Sequence, residues 1–355
     1  MKSKQQSLLK PRALAIAASG YAALSLYALF SSRFWTADLL ANLAIQFVFV
    51  GGIVFGLALW FRARASCAIT LLGIAPMMWL LFETPRATLD AEWRGSQEPI
   101  SLLVFNAYAQ NETPEAVLEL LRSSGVDVAA VLGMPAENVI AIRDEGVLED
   151  VFAYTDIPSA ARGGYPIILS RWPFKQIQDP DDHRRSPLGA RGVEIDRPAG
   201  SFRLALLHPS SPRNPERWSA GNETLEHDIR VLNSLLRRDS MPLVVLGDFN
   251  STPSGYRSRR LSSATGLQRG KPRWRATGTW PSNLFWPFQV AIDDVFLESS
   301  AVLGAWETMG PAGSDHLAVR VEIAFGMKPL TKSDRSVVPL WKRLVLWIDA
   351  FFQIA

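Results

Sequence analysis

The distribution of charge divides the chain before any motif does. Three stretches carry none: Ala13 to Ser32, Leu39 to Phe61 and Ala65 to Phe82. Each is close to the ~20 residues that cross a bilayer as a helix. None shows the polar stripe that a core helix turns to water. The pattern predicts a three-span anchor over residues 1–83. A cleaved leader is not expected, because two further stretches follow the first at once. Lys2, Lys4, Lys10 and Arg12 precede the first stretch, Arg33 alone stands in the first loop, and Arg62 and Arg64 stand in the second. Cationic flanks stay in the cytoplasm. The N-terminus is expected inside, and an odd number of spans places everything after Phe82 outside. The expected localisation is a multi-pass protein of the cell membrane with its large domain outside the cytoplasm.

After Thr84 the pattern changes. A polar linker over residues 84–99 leads into short apolar runs separated by turns. Ile100 to Phe105, Val126 to Leu132, Pro166 to Ser170, Leu243 to Leu246, Val290 to Leu297 and Ala318 to Ile323 read as strands. Gly192 to Asp196 and Phe202 to His208 flank an Arg197-Pro198-Ala199-Gly200 turn and read as a hairpin. Pro114 to Ser123 reads as a helix, with Thr113 before it and Gly125 beyond it. Leu225, Ile229, Leu232 and Leu236 give Asn222 to Arg237 a helical period. The helices are too few for a regular doubly wound sheet. The expected fold is an α/β (α+β) four-layer sandwich over residues 100–326, two packed β-sheets flanked by helices and preceded by the three transmembrane helices. Residues 327–355 read as a linker and an amphipathic C-terminal helix, which either packs on the domain or lies on the membrane.

Composition narrows the partners. A formal charge of +3 is too small to argue for nucleic acid by itself. The single cysteine, Cys67, excludes an intrachain disulfide. One local stretch is strongly basic: Arg257, Arg259, Arg260, Arg269, Lys271, Arg273 and Arg275 lie among or just ahead of Trp274, Trp280, Phe285, Trp286 and Phe288. That mixture suits an anionic lipid surface, a nucleic-acid strand, or a solvated loop beside a packed core.

Two strings carry the candidate chemistry: Gly247-Asp248-Phe249-Asn250 and Gly313-Ser314-Asp315-His316. Both sit at the ends of apolar runs. Together they supply carboxylates, an amide and an imidazole, the groups that phosphate-ester chemistry needs. An imidazole titrates near neutrality, and a carboxylate partner fixes its tautomer, so His316 is the candidate base with Asp293 as its partner. Asp248 can align water, and Asn250 and His208 can donate to phosphate oxygens. Asn106 and Asp315 offer hard oxygens to a divalent cation. Asp181-Asp182-His183 is a lesser cluster, read as a solvated loop.

In their order and spacing these residues resemble the endonuclease/exonuclease/phosphatase superfamily, whose members include pancreatic-type DNase, abasic-site endonucleases, inositol-phosphate 5-phosphatases and bacterial sphingomyelinases. Asn106, the Gly164 to Arg171 stretch, His208, Asp248 with Asn250, Asp293, and Asp315 with His316 match that family's motifs in turn. The resemblance implies a metal-dependent phosphoesterase using Mg²⁺ or Mn²⁺. One position departs. The family carries a metal-holding glutamate after the second strand, where Val126 to Leu132 is followed here by Gly133. Glu137 lies four residues on and would need another loop path. Metal binding is therefore expected to be weak, and two readings stay open: a working hydrolase and a catalytically impaired binding protein.

The spans, Thr279-Trp280-Pro281-Ser282 and His208-Pro209 resemble the superfamily's membrane-bound branch, which includes glycopeptide-resistance proteins taken to act on prenyl-phosphate carriers. The resemblance implies the bilayer as partner and a phosphorylated or pyrophosphorylated lipid as substrate. An extracytoplasmic nuclease is the third reading.

Overall fold

A computed structural model describes residues 2–90, 98–157, 163–177, 191–273 and 275–325. The expected C-terminal helix, the Asp181–His183 cluster and Trp274 lie outside the described residues. Four helices come first: α1 (Lys2–Tyr27), α2 (Trp35–Asn42), α3 (Ala44–Trp60) and α4 (Arg64–Glu83). Helix α4 packs against both α1 and α3. The approach is close at Gly51 and Gly73, where an added Cβ would strike the Tyr21 ring. The Tyr21 hydroxyl donates to the Phe47 carbonyl at 3.1 Å.

The second uncharged stretch is not one straight helix. It breaks at Leu43, and α2 and α3 meet at 70°. Two helical stretches, Arg12–Phe30 and Arg64–Glu83, are by themselves long and apolar enough to cross a membrane, and a third arises only if α2 and α3 count as one bent span. Asp38 and Asn42 of α2, just before the break, make hydrogen bonds to the folded domain. Asp38 accepts from the Trp218 indole at 2.9 Å and from the Tyr256 N–H at 2.8 Å. Asn42 accepts from the Thr252 N–H at 2.6 Å.

The remaining elements run β1 (Ile100–Asn106), α5 (Pro114–Ser123), β2 (Val128–Leu132), α6 (Ala136–Asp144), β3 (Tyr154–Thr155), β4 (Ile167–Ser170), β5 (Phe174–Gln176), β6 (Arg191–Ile195), β7 (Phe202–Leu207), α7 (Pro215–Arg238), β8 (Leu243–Asp248), α8 (Tyr256–Thr265), β9 (Gln268–Arg269), β10 (Asp293–Leu297), β11 (Ala301–Met309) and β12 (Ala318–Phe325). They make two six-stranded sheets, ordered β11-β12-β1-β2-β4-β3 and β5-β6-β7-β8-β10-β9. The central pairs, β1 with β2 and β7 with β8, are parallel, and the other pairings are antiparallel. Strands β2, β7 and β8 are buried along their whole length. Such continuous apolar runs mark strands covered on both faces.

Leu102, Val104 and Ala130 meet Leu204, Val244 and Leu246 between the sheets. Val117, Leu121 and Val139 cover the first sheet's outer face, and Leu225, Ile229 and Leu261 cover the second's. These are the four layers of the expected sandwich. Helix α7 begins seven residues before its apolar period does, capped by Asn214, whose side chain accepts from the Arg217 N–H. Helices α6 and α8 and strand β11 carry no strong period and were not legible in the sequence. The first half of the expected linker is built into the second sheet's edge. Arg86 bridges Arg269, and the Ala87 N–H donates to the Arg269 carbonyl at 2.9 Å.

Candidate active site

The topology delivers the candidate residues to one end of the sandwich. Asn106 ends β1, His208 follows β7, and Asp248 ends β8. Asp293 begins β10, directly opposite Asp248 in antiparallel register. Asp315 and His316 immediately precede β12, which runs antiparallel to β1.

His316 Nδ1 lies 2.8 Å from Asp293 Oδ2. Its other nitrogen, Nε2, is 3.4 Å from Asn106 Nδ2 and 3.9 Å from Asp248 Oδ2. Asn106 donates to Asp248 Oδ2 at 3.0 Å, and His208 Nε2 approaches the same oxygen at 3.6 Å. Asp248 Oδ1 accepts from the Asn250 N–H at 2.8 Å, a tight turn that places Asn250 at φ +47°. Asparagine tolerates that left-handed conformation better than most residues. Its side chain donates to the Pro209 carbonyl at 3.0 Å, linking the ends of β7 and β8.

The His316 ring is held in a charged state. Burial works against that charge, but Asp293, then Asp248 and Asp315, override it and raise the pKa to about 9. Burial likewise pushes the Asp293 carboxyl up, opposed by the His316 charge. At neutral pH the ring therefore carries its proton. A ring that keeps its proton offers a donor at Nε2, and the Asp248 carboxylate stands beside it.

Three positions named in the sequence reading make contacts that it did not assign. Ser314 Oγ donates to the Asn106 carbonyl at 2.6 Å and accepts from the His316 N–H at 3.0 Å, stapling β1 to the approach of β12. Thr279 Oγ1 accepts from the N–H groups of Ile292 and Asp293. The Trp280 indole donates to Asp315 Oδ2 at 3.0 Å. Ser314 sits inside a motif already singled out. Nothing local tells that Trp280 reaches across to Asp315.

A divalent cation fits this donor set. Asp248, Asp293 and Asp315 stand against one imidazolium, and Asp293 Oδ1 is buried with no hydrogen-bond partner. Asp248 and Asp293 each place a carboxylate oxygen within 4.8 Å of the other and of the His316 ring. Hard oxygens and uncompensated negative charge are what Mg²⁺ takes. Gly133 faces Asn106, since a Cβ on it would stand 3.0 Å from Asn106 Oδ1. The position expected to carry a ligand thus lies beside the site and supplies none. Glu137 is exposed in the first turn of α6 and does not join the cluster.

The basic stretch is mostly structural. Arg257 is buried and donates to Asn222 Oδ1 and the Ser210 carbonyl. Arg259 pairs with Glu83 at 2.7 Å, Arg260 with Glu226 at 2.6 Å, and Arg269 with Asp294 at 2.6 Å. Its aromatics divide. Trp286 packs edge-on against Phe49 of α3, whereas Phe285 and Phe288 are 71% and 61% exposed.

The sequence profile of the endonuclease/exonuclease/phosphatase family matches residues 103–316, more than half of the chain, and the chain belongs to that family. No curated protein matches it by sequence. Among solved structures, the truncated TDP2 of Caenorhabditis elegans is 13% identical with a TM-score of 0.50, the alignment covering 64% of this chain and 98% of that one. Sphingomyelinase C from Streptomyces griseocarneus is 13% identical at a TM-score of 0.46, with 63% and 99% covered. A mannosyl-6-phosphatase of Bacteroides thetaiotaomicron is 13% identical at 0.46, with 64% and 100% covered.

Proposed function

We propose that this protein is a membrane-tethered, metal-dependent phosphoesterase whose domain lies outside the cytoplasm and hydrolyses a phosphorylated or pyrophosphorylated lipid. The observation that carries catalysis is the buried Asp293–His316 pair set beside Asp248, Asn106 and His208. His316 Nε2 donates a hydrogen bond to a non-bridging phosphate oxygen, with its charge opposing the charge that develops there. Asn250 and His208 add donors on the β7–β8 side. Asp248 Oδ2 orients a water and takes its proton as the water oxygen bonds to phosphorus and the ester oxygen departs. Asn106 and Asp315 would hold Mg²⁺ or Mn²⁺, which supplies charge stabilisation at the phosphoryl oxygens when bound.

The lipid reading rests on Leu284, Phe285 and Phe288. They are exposed on the loop whose Pro287 carbonyl accepts from Gln46 of α3 at 3.0 Å. The same segment leads back to Trp280, which holds Asp315. An apolar loop between a membrane helix and the site suits a substrate that stays in the bilayer.

The test is phosphate release from polyprenyl phosphates and pyrophosphates by the full chain in detergent, with each metal. Asp248→Asn and His316→Ala should each lower turnover by at least about a hundredfold. Absence of release with every metal would sink the reading. Gly133 supports the rival reading of an impaired binding protein. Calorimetric titration of Mn²⁺ into Gly133→Glu decides how much of the metal site was lost. Tighter binding is expected despite about 1–2 kcal/mol of backbone strain at φ +59°.

A further inference from the structure

A second charged cavity lies where the helices meet the domain. Its cavity volume is about 50 Å³, and it lies between Leu81 near the end of α4, Gln46 of α3, and the loops before α8 and β10. Arg86, Lys271, Arg273 and Arg275 all line it, and no acidic side chain does. None of Asn106, Asp248, Asp293 or His316 borders it.

Among the described residues, no acidic side chain lines the cleft beside Arg86 and Lys271. Asp294 is the nearby carboxylate, and it is already spent. It accepts from Arg269 at 2.6 Å, from the Trp306 indole at 2.8 Å and from the Lys271 N–H at 3.1 Å. Lys271 Nζ donates to the Arg275 carbonyl, Arg275 to the Trp306 carbonyl, and Arg273 to the Leu81 carbonyl. Carbonyls satisfy hydrogen bonds but cancel no charge. At Arg86, Nε and Nη1 are sealed from solvent with no hydrogen-bond partner. Burial lowers Lys271 to about 7 and Arg86 to about 9, with the surrounding cations adding to the drop. An orphaned buried guanidinium is costly unless an anion meets it.

We propose that this cleft is a binding site for a phosphate group, distinct from the Asp248–His316 centre. Guanidinium N–H groups arranged as a fork match two phosphate oxygens at once, and Lys271 adds a point charge. The cleft opens beside the end of α4, the level at which a spanning helix leaves the bilayer. A phospholipid headgroup and a free phosphate both carry the required chemistry. The site does not depend on catalysis, and only the headgroup source rests on the membrane reading above.

The experiment measures the thermal midpoint of the full chain in two settings. One is zwitterionic detergent with and without inorganic phosphate. The other is phosphatidylcholine nanodiscs with and without phosphatidylglycerol. Asp248→Asn, Arg86→Gln and Lys271→Met are compared with the parent. The midpoint should rise with phosphate or phosphatidylglycerol in the parent and equally in Asp248→Asn. In Arg86→Gln the apparent affinity should fall about tenfold or more, although its ligand-free midpoint should match or exceed the parent's once the orphan charge is gone. Should Arg86→Gln fail to fold, Lys271→Met carries the comparison. A response to phosphate alone assigns the free anion, and one to phosphatidylglycerol alone assigns the headgroup. A parent that responds to neither overturns the site, as does a response lost in Asp248→Asn but kept in Arg86→Gln and Lys271→Met.

Discussion

His316 shows how the environment of one residue redirects a site. An isolated imidazole titrates near neutrality and would serve as a base. Here Asp293 raises it to about 9, so it stays protonated through the physiological range. The stability consequence has a definite sign. A raised pKa contributes stability in full below the unfolded value of about 6.5, and that contribution is lost as pH rises through about 9. It is at most on the order of 3 kcal/mol, because the cost of burying the Asp293 charge is set against it. The gap in thermal midpoint between the parent and His316→Gln should therefore be widest below pH ~6.5 and narrow steadily toward pH ~9. Turnover should fall over the upper part of the same window as the donor proton leaves. Turnover that instead climbs across it would return His316 to the role of base.

Among the elements, α2 is the one whose position depends most on distant partners. It is only eight residues long and uncharged except for Asp38, too short to persist alone. Asp38 and Asn42 tie it to Thr252, Tyr256 and Trp218, and Thr252 lies two residues beyond Asn250. Helix α2 thus braces the loop that follows the Asp248–Asn250 turn. Asp38→Ala should cost about 2–4 kcal/mol, the range for breaking buried hydrogen bonds to a charged group. Amide exchange should quicken across residues 251–256 and remain slow in β1. Uniformly faster exchange would instead mean global destabilisation with no specific brace.

At the scale of the whole molecule, the helices have two distinct ends. Ser31 and Glu83 both meet Arg259 of the domain, while Arg62 and Arg64 sit at the far turn between α3 and α4. The domain and the cationic turn should therefore lie on opposite faces of the membrane. In a Cys67→Ser background, an impermeant thiol reagent applied to intact cells should label Ser263→Cys on α8 and spare Arg62→Cys until the membrane is opened. On the topology proposed above, the exposed Phe285 and Phe288 face the bilayer. Replacing both with serine should reduce turnover of a vesicle-borne substrate severalfold and leave hydrolysis of a water-soluble phosphoester unchanged. Equal loss on both substrates would place the pair in the site itself.

The chemistry was legible because it sits at strand ends. Asn106, His208, Asp248 and Asp293 each terminate or begin an apolar run, so a linear reading finds them and the absence at Gly133. The two long apolar helices were legible for a similar reason, since uncharged length is a local property. What the linear order could not decide was the use made of each charge. Arg257, Arg259, Arg260 and Arg269 read as one basic surface, yet each is consumed by a partner tens to hundreds of residues away. Arg86, inside a stretch that read as linker, keeps its Nε and Nη1 buried with no hydrogen-bond partner. The reach of Trp280 to Asp315 and the charge on His316 have the same origin. Hydrophobic period and strand ends are set by neighbours in sequence, whereas burial, pairing and protonation are set by neighbours in space, and only the folded chain brings those together.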